Sequence, residues 1–242
     1  MAQPYRTCRR ERNSRHPGII LFAGALLASA GGCGLDHYEQ RMEAEQKRVK
    51  HFDEENQNLE VPLKLPEKKG EDKDAIQEKD FFFRPPKGIS TTPEPKPLGM
   101  FYRYASRDAN ANLQDVLVAI VKAKETTEKF RKDILQNLVG LGLIAGPPKT
   151  RDVGDPPVHY DYCELQSGPN QPGGVVYFYR ENVPGEGTYQ VAIVFRSAQP
   201  GSANEGSAMD LALASLRVDN AARIQHSRFR PPPQQPATRG RR

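Results

Sequence analysis

The apolar positions of this chain change period several times, and each change marks an expected element. From Ile19 to Ala30 every residue is apolar or small over twelve positions, which is short of the roughly 20 that a membrane-spanning helix needs. Beyond it, Tyr38, Met42, Val49 and Phe52 stand at heptad-compatible positions, and Asp36 and Glu39 have capping-box spacing, so a helix is expected over about 36–57. Glu45 interrupts its stripe, and a coiled coil asks for three or four sustained heptads. The expectation is a solvated helix with one sticky edge. Leu59, Val61, Leu63 and Leu65 then alternate, but Pro62 and Pro66 exclude a central strand, which leaves an extended arm followed by a solvated linker. Three consecutive phenylalanines, Phe81, Phe82 and Phe83, are costly in a solvated linker and are expected to dock on the chain's own domain or on a partner.

From residue 98 the pattern is that of a folded domain. "MFYRYAS" and "LQDVLVAIVKA" read as strands, the second a buried run rich in Val and Ile. Leu113, Leu117, Ile120, Lys124, Phe130, Ile134 and Leu138 also sit near one helical face, so a single helix from Leu113 to Leu138 is the competing reading. The preferred reading ends the strand near Ala123 and starts a helix near Thr126 or Thr127, with Phe130, Ile134, Leu135 and Leu138 as its buried stripe and Gly140 and Gly142 as its stop. "VHYDYCEL", "GVVYFYREN" and "TYQVAIVFRSA" are three further strands whose close turns imply antiparallel neighbours. "SAMDLALASLRVDNAARI" reads as a last helix with small faces suited to packing on a sheet.

The expected fold class is therefore α+β: an antiparallel sheet of about five strands with two helices packed on one face, preceded by a helical and Pro-rich tether. The organisation that follows is a removable segment over 1–32, a tether over 33–97, the α+β domain over 98–224 and a basic, Pro-rich tail over 225–242 that its composition marks as disordered.

Charge sharpens this division. The 242-residue chain has a formal charge of +5, but residues 1–32 carry five arginines and one glutamate, so the remainder is near +1. Six arginines and no acid follow from Arg223 onward, which leaves residues 33–222 at −5. The body is mildly acidic and the tail basic. An arginine-rich tail fits nucleic acid through counterion release, but an exported chain does not meet it, so no nucleic-acid partner is expected.

The N-terminus carries the export signal. Arg6, Arg9, Arg10, Arg12 and Arg15, then the short apolar block, then small residues follow the order of a secretory signal peptide. Arg9 and Arg10 also permit a twin-arginine route, without the apolar residues that usually follow the pair. Two processing sites compete. Ala28-Ser29-Ala30 is an A-x-A pattern cut after Ala30, whereas Ala30-Gly31-Gly32-Cys33 resembles the lipobox of bacterial lipoproteins, with Ala30 where that family usually has a larger aliphatic residue. The resemblance covers only this junction. It implies acylation of Cys33 and anchorage by two or three acyl chains, enough for long-lived attachment where a single chain is marginal. It also implies a place in the cell envelope facing the periplasm, with Gly34 after the cysteine pointing to the outer membrane. Cys8 would leave with the signal and Cys33 would be acylated, so Cys163 would remain the one thiol and no internal disulfide would form.

Candidate chemistry is sparse. "GLGLIAG", Gly140–Gly146, imitates a phosphate loop but follows a helix instead of opening one, and is expected to be a stop and turn. Period-two geometry places His159, Asp161 and Cys163 on one strand face, potential ligands or a His/Cys pair, but successive same-face residues lie about 6.8 Å apart and a metal needs three or four converging ligands. No G-x-S-x-G, H-E-x-x-H or C-x-x-C is present, and no catalytic, metal or cofactor residue is nominated. The expectation is a membrane-anchored, non-enzymatic binding or assembly module of the bacterial envelope. Its partners are membrane lipid through Cys33 and an envelope protein met by Phe81–Phe83 or by the 36–57 helix. The alternative is a soluble exported protein whose α+β domain binds a small ligand or is a hydrolase.

Overall fold

The computed structural model describes residues 32–66, 76–123, 126–167, 173–184, 187–197 and 207–229. The expected signal segment, the linker after Pro66 and the tail beyond Phe229 lie outside the described residues. The chain divides into two units, Met1–Lys50 and His51–Arg242. Helix α1, Gly32–Asn58, begins earlier than the capping-box spacing suggested, so Asp36 lies inside it. Among the described residues no helix is long and apolar enough to cross a membrane.

The second unit is built on a seven-stranded sheet. Its strands are β2 (Tyr102–Ala105), β3 (Leu113–Ala123), β4 (Leu143–Ala145), β5 (Lys149–Val153), β6 (Val158–Ser167), β7 (Gly173–Val183) and β8 (Gly187–Ser197). The order is β2-β3-β8-β7-β6-β4, with β5 also on β6, and every pairing is antiparallel. Strand β3 is extended through all eleven of its residues, which excludes the long-helix alternative for Leu113–Leu138. Helix α2, Thr127–Gly140, follows as expected, and Gly142 turns the chain with φ +77°, a conformation open to glycine.

Successive residues of the central strands are buried on opposite faces. Leu117, Ala119, Val176, Phe178, Ala192 and Val194 pack under Phe130, Ile134 and Leu138 of α2. Val116, Val118, Val175, Tyr177, Val191 and Ile193 belong to a second core with Met209, Ala212 and Leu213 of α3, Ser207–Ala214. This corrects the expected architecture. The sheet has seven strands, not about five, a further two-stranded sheet pairs β1 (Phe81–Phe82) with β9 (Arg217–Val218), and among the described residues there are four α-helices, not two, of which α2 and α3 cover opposite faces of the sheet. The missed strands are short or polar: β4 has three residues, and β5 reads Lys-Thr-Arg-Asp-Val, an outer strand that exposes Lys149, Thr150 and Asp152.

The expected last helix is broken into α3, β9 and α4, Asp219–Arg228. Ser215 stops α3: its hydroxyl donates to the Ala212 carbonyl at 2.6 Å and accepts the Arg84 backbone N–H at 2.9 Å. Asp219 then takes φ +51°, a region aspartate tolerates better than branched residues, and the chain turns into α4. The same second core takes in Leu59, Leu63 and Leu65 of the arm together with Phe81, Phe83 and Ile89, all buried. Core residues thus begin at Leu59, well before residue 98.

Candidate functional site

Strand β6 holds the side chains that the sequence singled out. Its first half pairs with β5 in a hairpin, Asp152 opposite His159 and Thr150 opposite Asp161, and its other edge pairs with β7, Cys163 opposite Val176. The hairpin turn is tight at Gly154, φ +88°, where a Cβ would lie 2.9 Å from the Ala214 Cβ of α3.

His159, Asp161 and Cys163 share a strand face as expected, but they do not act as one group. The imidazole Nδ1 of His159 is 2.7 Å from the Asp152 carboxylate, and both side chains are about two-thirds exposed, at 67% and 65%. The Cys163 thiol lies 2% exposed in the core beneath α2. Between them stands Arg131 of α2. Its guanidinium donates to Asp161 at 3.4 Å, reaches the Cys163 sulfur at 3.8 Å and lies 5.0 Å over the Phe178 ring. A cysteine nucleophile needs a solvent-accessible thiol and a base within hydrogen-bond reach. Here the thiol is covered, its polar neighbour is a cationic donor, and the histidine is paired on the surface with another residue. Among the described residues no three His, Cys, Asp or Glu side chains are grouped to hold a metal ion.

An open cavity of about 500 Å³ lies at this end of the sheet, lined by Thr127, His159, Asp161, Phe178 and Arg180 among others. It offers an aromatic wall, one carboxylate, one imidazole and one guanidinium, a mixture suited to holding a small polar molecule. Arg180 was invisible as a member of this site, because it is brought beside His159 and Asp161 only by the pairing of β7 with β6, and Arg131 was invisible as the neighbour of Cys163, because its placement depends on how α2 sits on the sheet. A second depression, about 720 Å³, runs along the Pro-rich segment between Lys64, Glu78, Pro93, Pro95 and Tyr102.

The other expected sites fall as follows. Cys33 lies in the first turn of α1. Phe81, Phe82 and Phe83 are buried at 0–1% exposure. Phe83 faces Phe195 of β8 at 6.5 Å, and Phe82 meets His226 and Phe229 edge-on at 5.0 and 6.1 Å. These rings pack within their own domain, one of the two outcomes expected for them. By contrast Tyr38, Met42, Val49 and Phe52 of α1 are 43–61% exposed. Comparison with known proteins returned no matching family model and no matching curated protein.

Proposed function

We propose that the chain is an exported, non-enzymatic binding and assembly module of the cell envelope, held to a membrane by an acylated Cys33. The observation that carries the binding part is the apolar stripe on α1. Four large apolar side chains on one long helix are open to water, while the equally apolar Phe81–Phe83 are buried. Large exposed apolar side chains gathered on one helix edge, interrupted only at Glu45, support an association face. The anchor is supported by the junction itself, where a positive segment, a short apolar block and small residues lead to a cysteine followed at once by a charged helix. Gly34 after the cysteine favours the outer membrane.

The experiment is intact-mass analysis of the mature protein beside a Cys33→Ala variant, with membrane fractionation of both. Acyl mass on a chain beginning at Cys33, and release of the variant into the soluble fraction, are expected. A wild-type chain beginning at Gly31 with no acyl mass overturns the anchor. It leaves the second reading, a soluble exported protein whose domain binds a small ligand, which the cavity beside Phe178 and Arg180 favours.

A further inference from the structure

We infer that the partner of α1 is a second copy of the same helix, paired in parallel as a short two-stranded coiled coil. The inference rests on the binding and assembly reading above and names its partner. Helix α1 is continuous from Gly32 to Asn58, about 40 Å at 1.5 Å per residue. With Tyr38 at a d position, Leu35, Met42 and Val49 fall at a, and Glu45 and Phe52 at d. The seam runs to Phe52 and stops there, because Asn56 is engaged by Arg84 at 2.9 Å and Leu59 is buried in the domain core.

The flanking charges select both occupant and direction. Positions e are Glu39, Gln46 and Asp53, and positions g are Arg41, Arg48 and Glu55. In a parallel pair each g residue meets the e residue five places on in the other copy. Arg48 then faces Asp53 and Arg41 faces Gln46, in two symmetric sets with no like charges opposed at the flanks; within the seam Glu45 meets its own copy. An antiparallel pair that aligns Met42 with Phe52 sets Glu39 against Asp53 twice and Arg48 against Arg48, which outweighs its two Arg41–Glu55 pairs, and Glu55 is already engaged by Arg84 at 3.3 Å. The parallel direction also brings both Cys33 residues to the same end, as two chains anchored in one membrane require. Confinement to that membrane raises the effective concentration of a short seam.

Lipid is the poorer occupant for the same stripe. Helices that lie in a bilayer surface carry a polar face rich in Lys and Arg. Here seven acids outnumber four Lys and Arg over Gly32–Asn58. Glu45 is the polar residue in the seam. It accepts from Arg48 at 2.5 Å within its own helix, and it lowers the stability of the pair while fixing its register.

The test uses the whole protein purified from expressing cells in neutral detergent. Sedimentation velocity is expected to find a dimer, which Val49→Asp dissociates and Glu45→Leu tightens by about tenfold or more, with the circular dichroism of the domain unchanged. Oxidation in membranes of a Met42→Cys variant should give a disulfide-linked homodimer well above the wild-type background, and a Lys47→Cys variant on the outer face should not. A monomer unaffected by Glu45→Leu, whose Met42→Cys form links a different polypeptide, overturns the second copy and leaves the association reading standing. A monomer that links to nothing overturns both, and so does binding only to lipid vesicles.

Discussion

Arg84 shows how single residues hold this domain together. Its guanidinium is nearly sealed from water, and burial pushes its pKa down while Glu55 opposes the shift. It donates to the Glu60 carbonyl and the Asn56 side chain at 2.9 Å each, pairs with Glu55 at 3.3 Å and stands 5.0 Å over Phe229. Asp115, fully buried in β3, is clamped in the same manner by Arg103 at 2.7 Å and by Arg196 at 2.6 Å. Buried charges of this kind persist only when paired, so both sites are structural ties. The tyrosines carry the residue-scale prediction. Burial, as the leading cause, pushes the hydroxyls of Tyr104, Tyr160, Tyr177 and Tyr189 up from their ordinary value. An unfolded tyrosine ionises near pH 10, so the folded state binds these protons more tightly. Their contribution is complete below about pH 10 and is lost as pH rises beyond it, at up to about 1.4 kcal/mol per pH unit for each tyrosine. Urea unfolding at stepped alkaline pH, followed by tyrosinate absorbance, should show stability falling above about pH 10, with the tyrosinate of these four buried rings appearing only on unfolding. Ionisation of these four in the folded protein near pH 10 would contradict it.

At the scale of elements, the two-stranded β1–β9 sheet joins segments far apart in sequence. Phe81 opposes Val218 and Phe82 opposes Arg217, while His226 of α4 meets the Phe81 carbonyl through Nε2 at 3.0 Å. Arg223 adds an ion pair to Asp80 at 2.7 Å. Phe83, fully buried against Phe195, is the apolar centre of this joint. Phe83→Ala is expected to lower unfolding free energy by about 3–5 kcal/mol, measured by urea titration. A loss below about 1 kcal/mol would mean that the segment is not packed as described. The elements easiest to read from sequence were those with a long, consistent pattern. Strand β3 and helix α2 follow from a Val/Ile run and an i, i+4, i+8 stripe at Phe130, Ile134 and Leu138. The break between α3 and α4 was not legible, because Ala and Leu favour a helix throughout and the stop depends on Ser215 meeting a backbone N–H 131 residues earlier.

For the whole molecule, the main consequence is where the folded unit begins. Leu59, Leu63, Leu65, Phe81, Phe83 and Ile89 lie in one core with the sheet, and the Tyr104 hydroxyl donates to the Lys64 carbonyl at 2.9 Å. Each such side chain contributes about 1.5–3 kcal/mol on burial, against a total stability of about 5–15 kcal/mol for a domain. A chain starting at Leu98 loses them all and is expected not to fold, whereas one starting at His51 keeps them. Near-ultraviolet circular dichroism and thermal melting of the two fragments check this: a cooperative transition is expected only for the longer one, and a native-like transition in the shorter would contradict it.

The sequence by itself determined the two-sided apolar strands, the stripe of α2, the exposed stripe of α1 and the export-like N-terminus, since each is a local pattern of period two, 3.6 or seven, or an ordered set of charged, apolar and small residues. It also put His159, Asp161 and Cys163 on one face, because strand alternation fixes that directly. Only the tertiary structure decided that Cys163 is sealed under Arg131 while His159 pairs with Asp152 outside. It alone placed β5 beside β6, put α2 and α3 on opposite faces, and drew the arm and the three phenylalanines into the core. The physical reason is that these outcomes depend on pairing between distant segments. A polar edge strand such as Lys149–Val153 carries no apolar period of its own, and a leucine in an arm has the same local pattern whether water or a sheet covers it.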